Sequence, residues 1–251
     1  MSLTGVSLTC LYLAAAAYAG SLAFFLLKRK MPAALLFVCG FILHTISEAG
    51  RGWFTGIFMP IGVFEGTFLL PWCLAFILAI LSLFKKDRDL ILSSIVPVLI
   101  FLVIALSYPK GVPPPSPNVQ TVFSSLFFVF EGLAHACFIL GAWFALWYLR
   151  RREEASFFDD LIVWGFIFYS AAQVTGAIWS YLGWSSLFNW NSRHLQSAAI
   201  WCFYAAYLHL RFLSGRDMKR KAVFSLAGFV LVFVLSYLGH LNEINMTRLG
   251  V

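Results

Sequence analysis

Five histidines are the side chains in this 251-residue sequence with the clearest capacity for chemistry, and each lies in or beside a long apolar run. They are His44, His135, His194, His209 and His240. A neutral imidazole ligates iron well, and two imidazoles at the same depth on different helices can hold a haem iron from both sides. An ionisable side chain in a membrane segment is costly, so each histidine is a functional candidate. For any one of them, the alternative is a neutral histidine satisfied by a neighbouring helix.

A carboxylate accompanies one of these histidines. Glu131 precedes His135 by four residues, so on a helix both side chains occupy one face. Within lipid, an acid of this kind often marks a proton pathway or a quinone site. A structural hydrogen bond to a Ser, Tyr or His of a neighbouring helix is the alternative interpretation.

The second group of candidates is a tryptophan-rich segment, residues 179–194. It contains Trp179, Trp184 and Trp190 and ends in Arg193 and His194. Aromatic faces can stack on a flat apolar disc such as a porphyrin and exclude water from it. The porphyrin carboxylates would need a cation or a hydrogen-bond donor, which Arg193 could supply, as could Asn191 and Arg51. An ordinary aromatic belt at a membrane–water interface is the alternative.

The elements that position these residues follow from composition. Hydrophobic residues make up 61% of the chain, charged residues 12%, and the mean hydropathy is +0.85. A soluble domain is nearer half apolar and a quarter charged. The composition therefore excludes a soluble enzyme, a disordered scaffold and a nucleic-acid-binding protein, and it predicts an integral membrane protein. The net charge of +7 is then an excess of basic residues in cytoplasmic loops.

Eight apolar segments are long enough to be spans, since a helix needs roughly 20 residues to cross the hydrocarbon core. The predicted fold is all-α, a single transmembrane domain of eight helices with both termini outside. Fourteen of the 18 basic residues then lie in inner loops, as the positive-inside rule requires. The spans are about 6–27, 32–48, 66–84, 89–107, 121–149, 158–180, 195–213 and 222–239.

Other features of the sequence limit the chemistry. The five cysteines are isolated in apolar runs, and no C-x-x-C-H motif for covalent haem attachment occurs. The apolar run at the N-terminus is too long for a cleavable signal, and its positive charges follow it. The segment Arg51–Val63, with aromatic residues broken by Gly and Pro, predicts a flap along the outer surface.

Depth along the predicted spans sorts the histidines into two sets. His44, His194 and His240 lie near the outer ends of their spans, level with the tryptophan-rich loop. His135 and His209 each lie 14 residues from the outer start of a span, roughly 21 Å below the outer boundary at 1.5 Å per residue. This equal depth predicts that His135 and His209 ligate one haem together.

The loop and the following span resemble the tryptophan-rich WWD signature of the haem-handling cytochrome c assembly family, which includes the CcsA/ResC, CcmC and CcmF types. That signature is close to W-x-x-x-x-W-G-x-x-W-x-W-D-P-x-E, followed by a span ending Y-x-x-Y-L-H-L-R. Trp179, Trp184 and Trp190 fall in register. The end of the span matches at Tyr204, Tyr207, Leu208, His209, Leu210 and Arg211. A weaker match involves Pro60, Glu65 and Trp72.

The resemblance carries over residue by residue, with departures. Asn191 stands at the Asp of the signature, Ser185 at a Gly, Phe188 at a Trp and His194 at the Glu. Phe127 aligns with an outer histidine of the family, and the position of His135 is usually Tyr there. His209 and His240 match family histidines. The resemblance thus implies His209 for haem within the membrane and His240 for haem at the loop, with His44 or His194 as the second outer ligand.

The function implied by the resemblance is the handling or delivery of haem for cytochrome c biogenesis at the outer face of a bacterial-type cytoplasmic membrane. This implies one or two non-covalent b-type haems, a CcsB/ResB-like membrane partner and apocytochrome c, and the chain would be the haem-handling subunit of a cytochrome c synthase. The alternative is a di-haem b-type cytochrome that passes electrons from quinol to an outer c-type partner; the deep pair His135 and His209, with Glu131, fits it. A third interpretation is a transporter or regulatory membrane protein whose histidines are structural.

Overall fold

A computed structural model describes residues 3–54, 63–84, 88–107, 121–151, 156–213 and 218–238. These residues form helices joined by turns and short loops, and no strand occurs among them. The helices are α1 (Leu3–Leu26), α2 (Lys30–Phe54), α3 (Val63–Phe84), α4 (Arg88–Ser93), α5 (Ile95–Ser107), α6 (Val122–Arg151), α7 (Phe158–Trp184), α8 (Ser192–Leu213) and α9 (Met218–Val232), which continues as a π-helical segment (Phe233–Leu238).

Each of the eight predicted spans coincides with one of these helices, α4 and α5 together forming the fourth. Five helical stretches are apolar and long enough to cross a membrane by length and composition: Gly5–Leu26, Lys30–Gly52, Asp89–Ser107, Val122–Arg150 and Phe158–Trp184. A shorter apolar helix covers Phe68–Phe84. The all-helical, membrane-type fold is therefore confirmed for the described residues. The count of eight crossings and the outer placement of both termini stay predictions.

The fourth predicted span is broken at Ser94, between α4 and α5. Pro97 has no N–H to donate to the carbonyl four residues earlier, and its ring crowds that carbonyl. The hydroxyls of Ser93 and Ser94 both donate to the Leu90 carbonyl, at 2.6 and 3.0 Å. Such side-chain bonds supply polar contacts inside an apolar segment, where water cannot.

The second helix is longer than the predicted span. α2 continues to Phe54, so the first four residues of the predicted flap, from Arg51, are helical. Glu48 and Arg51 are buried, and the Arg51 guanidinium lies 4.2 Å from the centre of the Phe68 ring. This contact explains the extension, because an aromatic face in a buried site stabilises a cation that sequence hydropathy assigns to water. Residues 55–62 of the flap lie outside the described part of the chain.

The chain forms two compact units, Met1–Ala136 and Cys137–Val251, with the boundary inside α6. The single transmembrane domain stays a prediction. In the first unit, α1 and α2 form a hairpin whose closest approach lies at small residues. The Ser7 and Ser47 hydroxyls each donate to the carbonyl of the other residue, at 2.9 and 2.8 Å, and a Cβ on Gly40 would lie 3.0 Å from the Tyr18 ring.

The second unit packs α7, α8 and α9 with the later part of α6, again through glycines. A Cβ on Gly165 would meet the Phe138 ring at 2.6 Å, and a Cβ on Gly228 would meet the Tyr204 hydroxyl at 2.7 Å. Phe138 and Tyr204 stack face to face, with ring centres 3.6 Å apart. These contacts bury one face of α8 and leave its opposite face exposed.

Candidate functional site

The tryptophan-rich loop begins where α7 ends, at Trp184. Ser185 adopts a left-handed conformation (φ 55°), and its N–H donates to the Tyr181 carbonyl at 2.8 Å. Many helices end in this way, and glycine is the usual residue at such a position because it has no Cβ. Ser180 then donates to the Ser186 carbonyl at 2.6 Å, and Ser186 to the Phe188 carbonyl at 2.8 Å. The backbone between the two helices is thus held by serine side chains.

The far end of the loop is held by the start of α8. Asn191 precedes the helix, and its side-chain oxygen accepts the His194 N–H at 2.9 Å, which is a helix N-cap. The Asn189 N–H donates to Nδ1 of His194 at 2.7 Å. Asparagine at position 191, where the resembling signature has aspartate, retains the capping oxygen without the charge.

The aromatic side chains at the end of α7 and in the loop form a surface, here called the aromatic shelf, of three exposed rings (Trp184, Phe188 and Trp190) and the half-buried Trp179. Trp179 meets Trp184 edge-to-face at 5.6 Å, and Phe188 meets Trp190 in the same way at 5.4 Å. Trp184 is 54% exposed and Trp190 85%. An exposed group of large aromatic residues indicates a binding surface, because it is costly to leave in water.

His194 belongs to the loop structure. Its ring stacks on Phe188 at 5.3 Å, and its Nδ1 lies against the Asn189 backbone, 2.7 Å from the nitrogen and 3.1 Å from the carbonyl oxygen. To ligate a metal through Nδ1, His194 would have to give up these contacts. The described geometry thus assigns His194 the role of ordering the loop, while its role as an outer ligand stays a prediction.

We expect Asn191→Ala to loosen the loop without unfolding α8. Loss of an N-cap side chain costs about 0.5–2 kcal/mol, here confined to the first turn of the helix and to His194. Hydrogen exchange of the backbone amides of residues 185–196 should become faster. Asn189→Ala is the matched control, since Asn189 contacts His194 through its backbone. Equal exchange in the two variants would contradict the capping role of Asn191.

His209 lies near the other end of α8 and is exposed. Its Nδ1 is 2.8 Å from the Ala205 carbonyl, one turn earlier. A carbonyl only accepts, so Nδ1 must carry the proton, and the lone pair of the neutral ring is on Nε2. Metal-binding histidines commonly have their second nitrogen bonded in this way, because the bond fixes tautomer and ring orientation. His209 is therefore oriented as a ligand with Nε2 available.

His44 occupies a different environment. It is fully buried within the first unit, in edge contact with Tyr18, and its Nε2 lies 3.8 Å from a carboxylate oxygen of Glu48. Because α2 ends at Phe54, His44 lies about three turns from that end, whereas the sequence predicts one. An imidazole with no exposed surface does not offer a free coordination position in this conformation.

The remaining sequence candidates are placed as follows. His135 is buried and Glu131 half-buried on α6, which is helical throughout, so the two share one face as predicted. His135 belongs to the first unit and His209 to the second, so their pairing stays a prediction. Arg193 is exposed in the first turn of α8. His240 lies outside the described residues.

The second unit contains a buried polar cluster that sequence reasoning missed. Asp159 accepts a hydrogen bond from the Tyr207 hydroxyl at 2.8 Å and pairs with the Lys221 ammonium at 3.3 Å. The sequence suggests Asp159 only as a favourable charge at a helix N-terminus and Lys221 only as an inner-loop cation. The local sequence signal for this cluster is that Asp159 and Lys221 each directly adjoin an apolar run. The pairing itself depends on three helices meeting.

Comparison with known proteins agrees with these features. A family model described as Cytochrome C assembly protein matches residues 61–242. A CcsA cytochrome c biogenesis protein of Prochlorococcus marinus strain MIT 9515 is 37% identical over 78 residues, 31% of this chain and 25% of that protein. The protein of the same name from strain MIT 9303 is 32% identical over 104 residues, 41% of this chain and 31% of that one.

The solved structure of a protein named Cytochrome c Heme Lyase CcmF has a similar fold, with a TM-score of 0.75 at 14% identity. The likeness covers 99% of this chain and 49% of that one. The matched segments thus span a quarter to a half of these relatives. The helices define a multi-pass, membrane-type fold. The chain belongs to the cytochrome c assembly protein family. Its first two helices, α1 and α2, precede the matched region.

Proposed function

We propose that this protein binds haem as a substrate and hands it on for cytochrome c assembly at the outer face of the membrane. The observation that carries the proposal is the orientation of His209, an exposed residue of α8, the helix of the seventh predicted span, whose Nδ1 bond to Ala205 leaves the Nε2 lone pair available. An imidazole in a predicted span is costly without a partner, and haem iron is a partner that binds the lone pair of a neutral imidazole nitrogen. The family of the chain supports haem as that partner.

The geometry of α8 supports two positions for haem. Ser192 and His209 are 17 residues apart, about 25 Å along the helix at 1.5 Å per residue. The aromatic shelf at one end and His209 at the other are therefore too far apart for one porphyrin to contact both. We assign His209 to haem within the membrane and the shelf to haem at the outer face.

At the shelf, Trp184 and Trp190 would cover the porphyrin face. Arg193, with the backbone N–H groups at the start of α8, would neutralise its carboxylates. His240 is the proposed outer axial ligand, by its match to a family histidine. His194 is the candidate for the second position, which the buried His44 could fill only in another conformation. A CcsB/ResB-like partner and apocytochrome c are the proposed protein partners, as the CcsA relatives are cytochrome c biogenesis proteins.

An absorption spectrum with haem quantification on the purified protein tests this proposal. We expect a non-covalent haem, extractable into acidified acetone, at less than one per chain, because a substrate is released to the next component. Two firmly held haems per chain would instead favour the di-haem cytochrome, for which Glu131 and His135 would be the quinone-side residues. Absence of haem, even after reconstitution with hemin, would refute both and favour a transporter or regulatory protein.

The proposed topology has its own test. We expect a cysteine in place of Leu187, which is 60% exposed in the loop, to react with a membrane-impermeant maleimide in intact cells. The matched control is Ser156→Cys, in the exposed turn before α7, which should react only after permeabilisation. Both variants need Cys39 and Cys202, which are exposed, replaced by serine. The reverse labelling pattern would overturn the orientation.

A further inference from the structure

The buried cluster of Asp159, Tyr207 and Lys221 connects three helices of the second unit. Asp159 is in the first turn of α7, Tyr207 on α8 and Lys221 on α9. All three are buried, with relative exposures of 7%, 0% and 5%. A carboxylate in such a site requires both a counter-charge and hydrogen-bond donors, because it has lost its hydration. Here one carboxylate oxygen of Asp159 accepts the hydrogen bond from the Tyr207 hydroxyl, and the other lies 3.3 Å from the Lys221 ammonium.

This cluster bears directly on the candidate haem ligand, since Tyr207 precedes His209 by two residues. Side chains on an α-helix are separated by about 100° per residue, so these two point roughly 200° apart, to opposite faces of α8. The structure agrees, with Tyr207 buried and His209 exposed. Whatever fixes Tyr207 inward therefore also fixes His209 outward.

The hydrogen bond adds a directional constraint on this rotation to the packing of the inward face. The inward face of α8 is lined by apolar rings such as Tyr204 on Phe138, and apolar contacts are not directional. The Tyr207 hydroxyl, by contrast, must meet one particular oxygen at 2.8 Å. That oxygen is itself held by Lys221, so the acceptor cannot move without separating the ion pair.

We propose that Asp159 is a positioning residue for haem binding: through Tyr207 it sets the rotation of α8 that presents His209. The inference rests on the proposed function only for the identity of the ligand that His209 meets. Lys221 holds the Asp159 carboxylate in place and connects α9 to the same arrangement.

The test uses Tyr207→Phe, which keeps the ring and removes only the donated bond. Its matched control is Tyr204→Phe, on the same buried face one turn earlier, because the Tyr204 hydroxyl makes no hydrogen bond within the described residues. Two readouts are needed. One is the mobility of a spin label on a cysteine at position 209, with the native cysteines replaced, and the other is the affinity for hemin.

We expect Tyr207→Phe to make the label at position 209 heterogeneous in its electron paramagnetic resonance spectrum. In the His209 protein, we expect hemin affinity to fall about tenfold, as for loss of a hydrogen bond to a charged group, with a partial shift from low-spin to high-spin haem. Tyr204→Phe should change neither readout. The double variant Asp159→Leu/Lys221→Met, which replaces the pair by apolar side chains and so should fold, is expected to match Tyr207→Phe.

The outcomes separate the two ideas. An unchanged spin-label spectrum in Tyr207→Phe and in the double variant would overturn the positioning role of Asp159, whatever happens to haem. If the label spectrum changes but hemin affinity does not, the cluster still sets the rotation of α8. His209 is then removed from the haem site, and Asp159 does not position a haem ligand. If Tyr204→Phe and Tyr207→Phe have equal effects, the Tyr207 hydrogen bond has no special role and the cluster contributes only through packing.

Discussion

Replacing His209 with alanine is expected to lower the affinity of the His209 position for haem by at least roughly tenfold, since removing even a group that hydrogen-bonds to a metal ligand costs about 10- to 100-fold in affinity. The cause is the loss of the His209 Nε2, whose lone pair is left available by the Nδ1 bond to the Ala205 carbonyl. Haem quantification and the absorption spectrum measure the effect. Added imidazole should restore part of the low-spin spectrum, because it can enter the space left by the side chain.

The control for this variant is Cys202→Ala. Cys202 is exposed on α8 seven residues before His209, so two turns separate them on one face. The control should keep its haem and its spectrum, which would show that changing this face does not by itself release haem. Full haem content and an unchanged spectrum in His209→Ala would exclude His209 as a ligand and would leave His240 and the aromatic shelf to account for binding.

Replacing Asp159 with asparagine is expected to produce the largest loss of stability, about 3–5 kcal/mol in the free energy of unfolding, because it leaves the buried Lys221 ammonium without its counter-charge. The midpoint of unfolding by sodium dodecyl sulfate in mixed micelles measures this loss. The double variant Asp159→Leu/Lys221→Met should recover most of the lost stability, since it removes both buried charges.

A second ion pair in the chain provides the comparison. Lys30 and Asp89 are closer, at 2.8 Å, but their side chains are 51% and 52% exposed. Water and salt screen such a pair, so Asp89→Asn should cost less than about 1 kcal/mol. If Asp159→Asn costs no more than Asp89→Asn, burial does not control the strength of the Asp159 pair, and its role in fixing α8 would lose its energetic basis.

Hydrophobic length predicted most of the fold. All eight apolar segments correspond to helices, including the 30-residue α6, because a long apolar segment must satisfy its own backbone hydrogen bonds wherever it lies in a membrane. The boundaries were less well predicted where charge and packing compete. Hydropathy ends the second span at residue 48, but burial of Arg51 over Phe68 continues α2 to Phe54.

The candidate site was predicted in its composition and only partly in its geometry. The aromatic residues of the loop and the histidine at the end of α8 are sequence features. The backbone group that each ring meets is not, because it depends on the local fold: Asn189 for His194 and Ala205 for His209. The Ala205 carbonyl only accepts, so the proton of a neutral His209 ring lies on Nδ1 and its Nε2 is available.

By itself, the sequence determined that this is a helical, membrane-type protein with an aromatic loop, because hydropathy and residue type act within a segment. Only the tertiary structure decided which polar groups meet. It buried His44 beside Glu48 and joined Asp159 to Tyr207 and Lys221 from three helices. Such pairings depend on which faces of distant helices pack together, and no single segment contains that information.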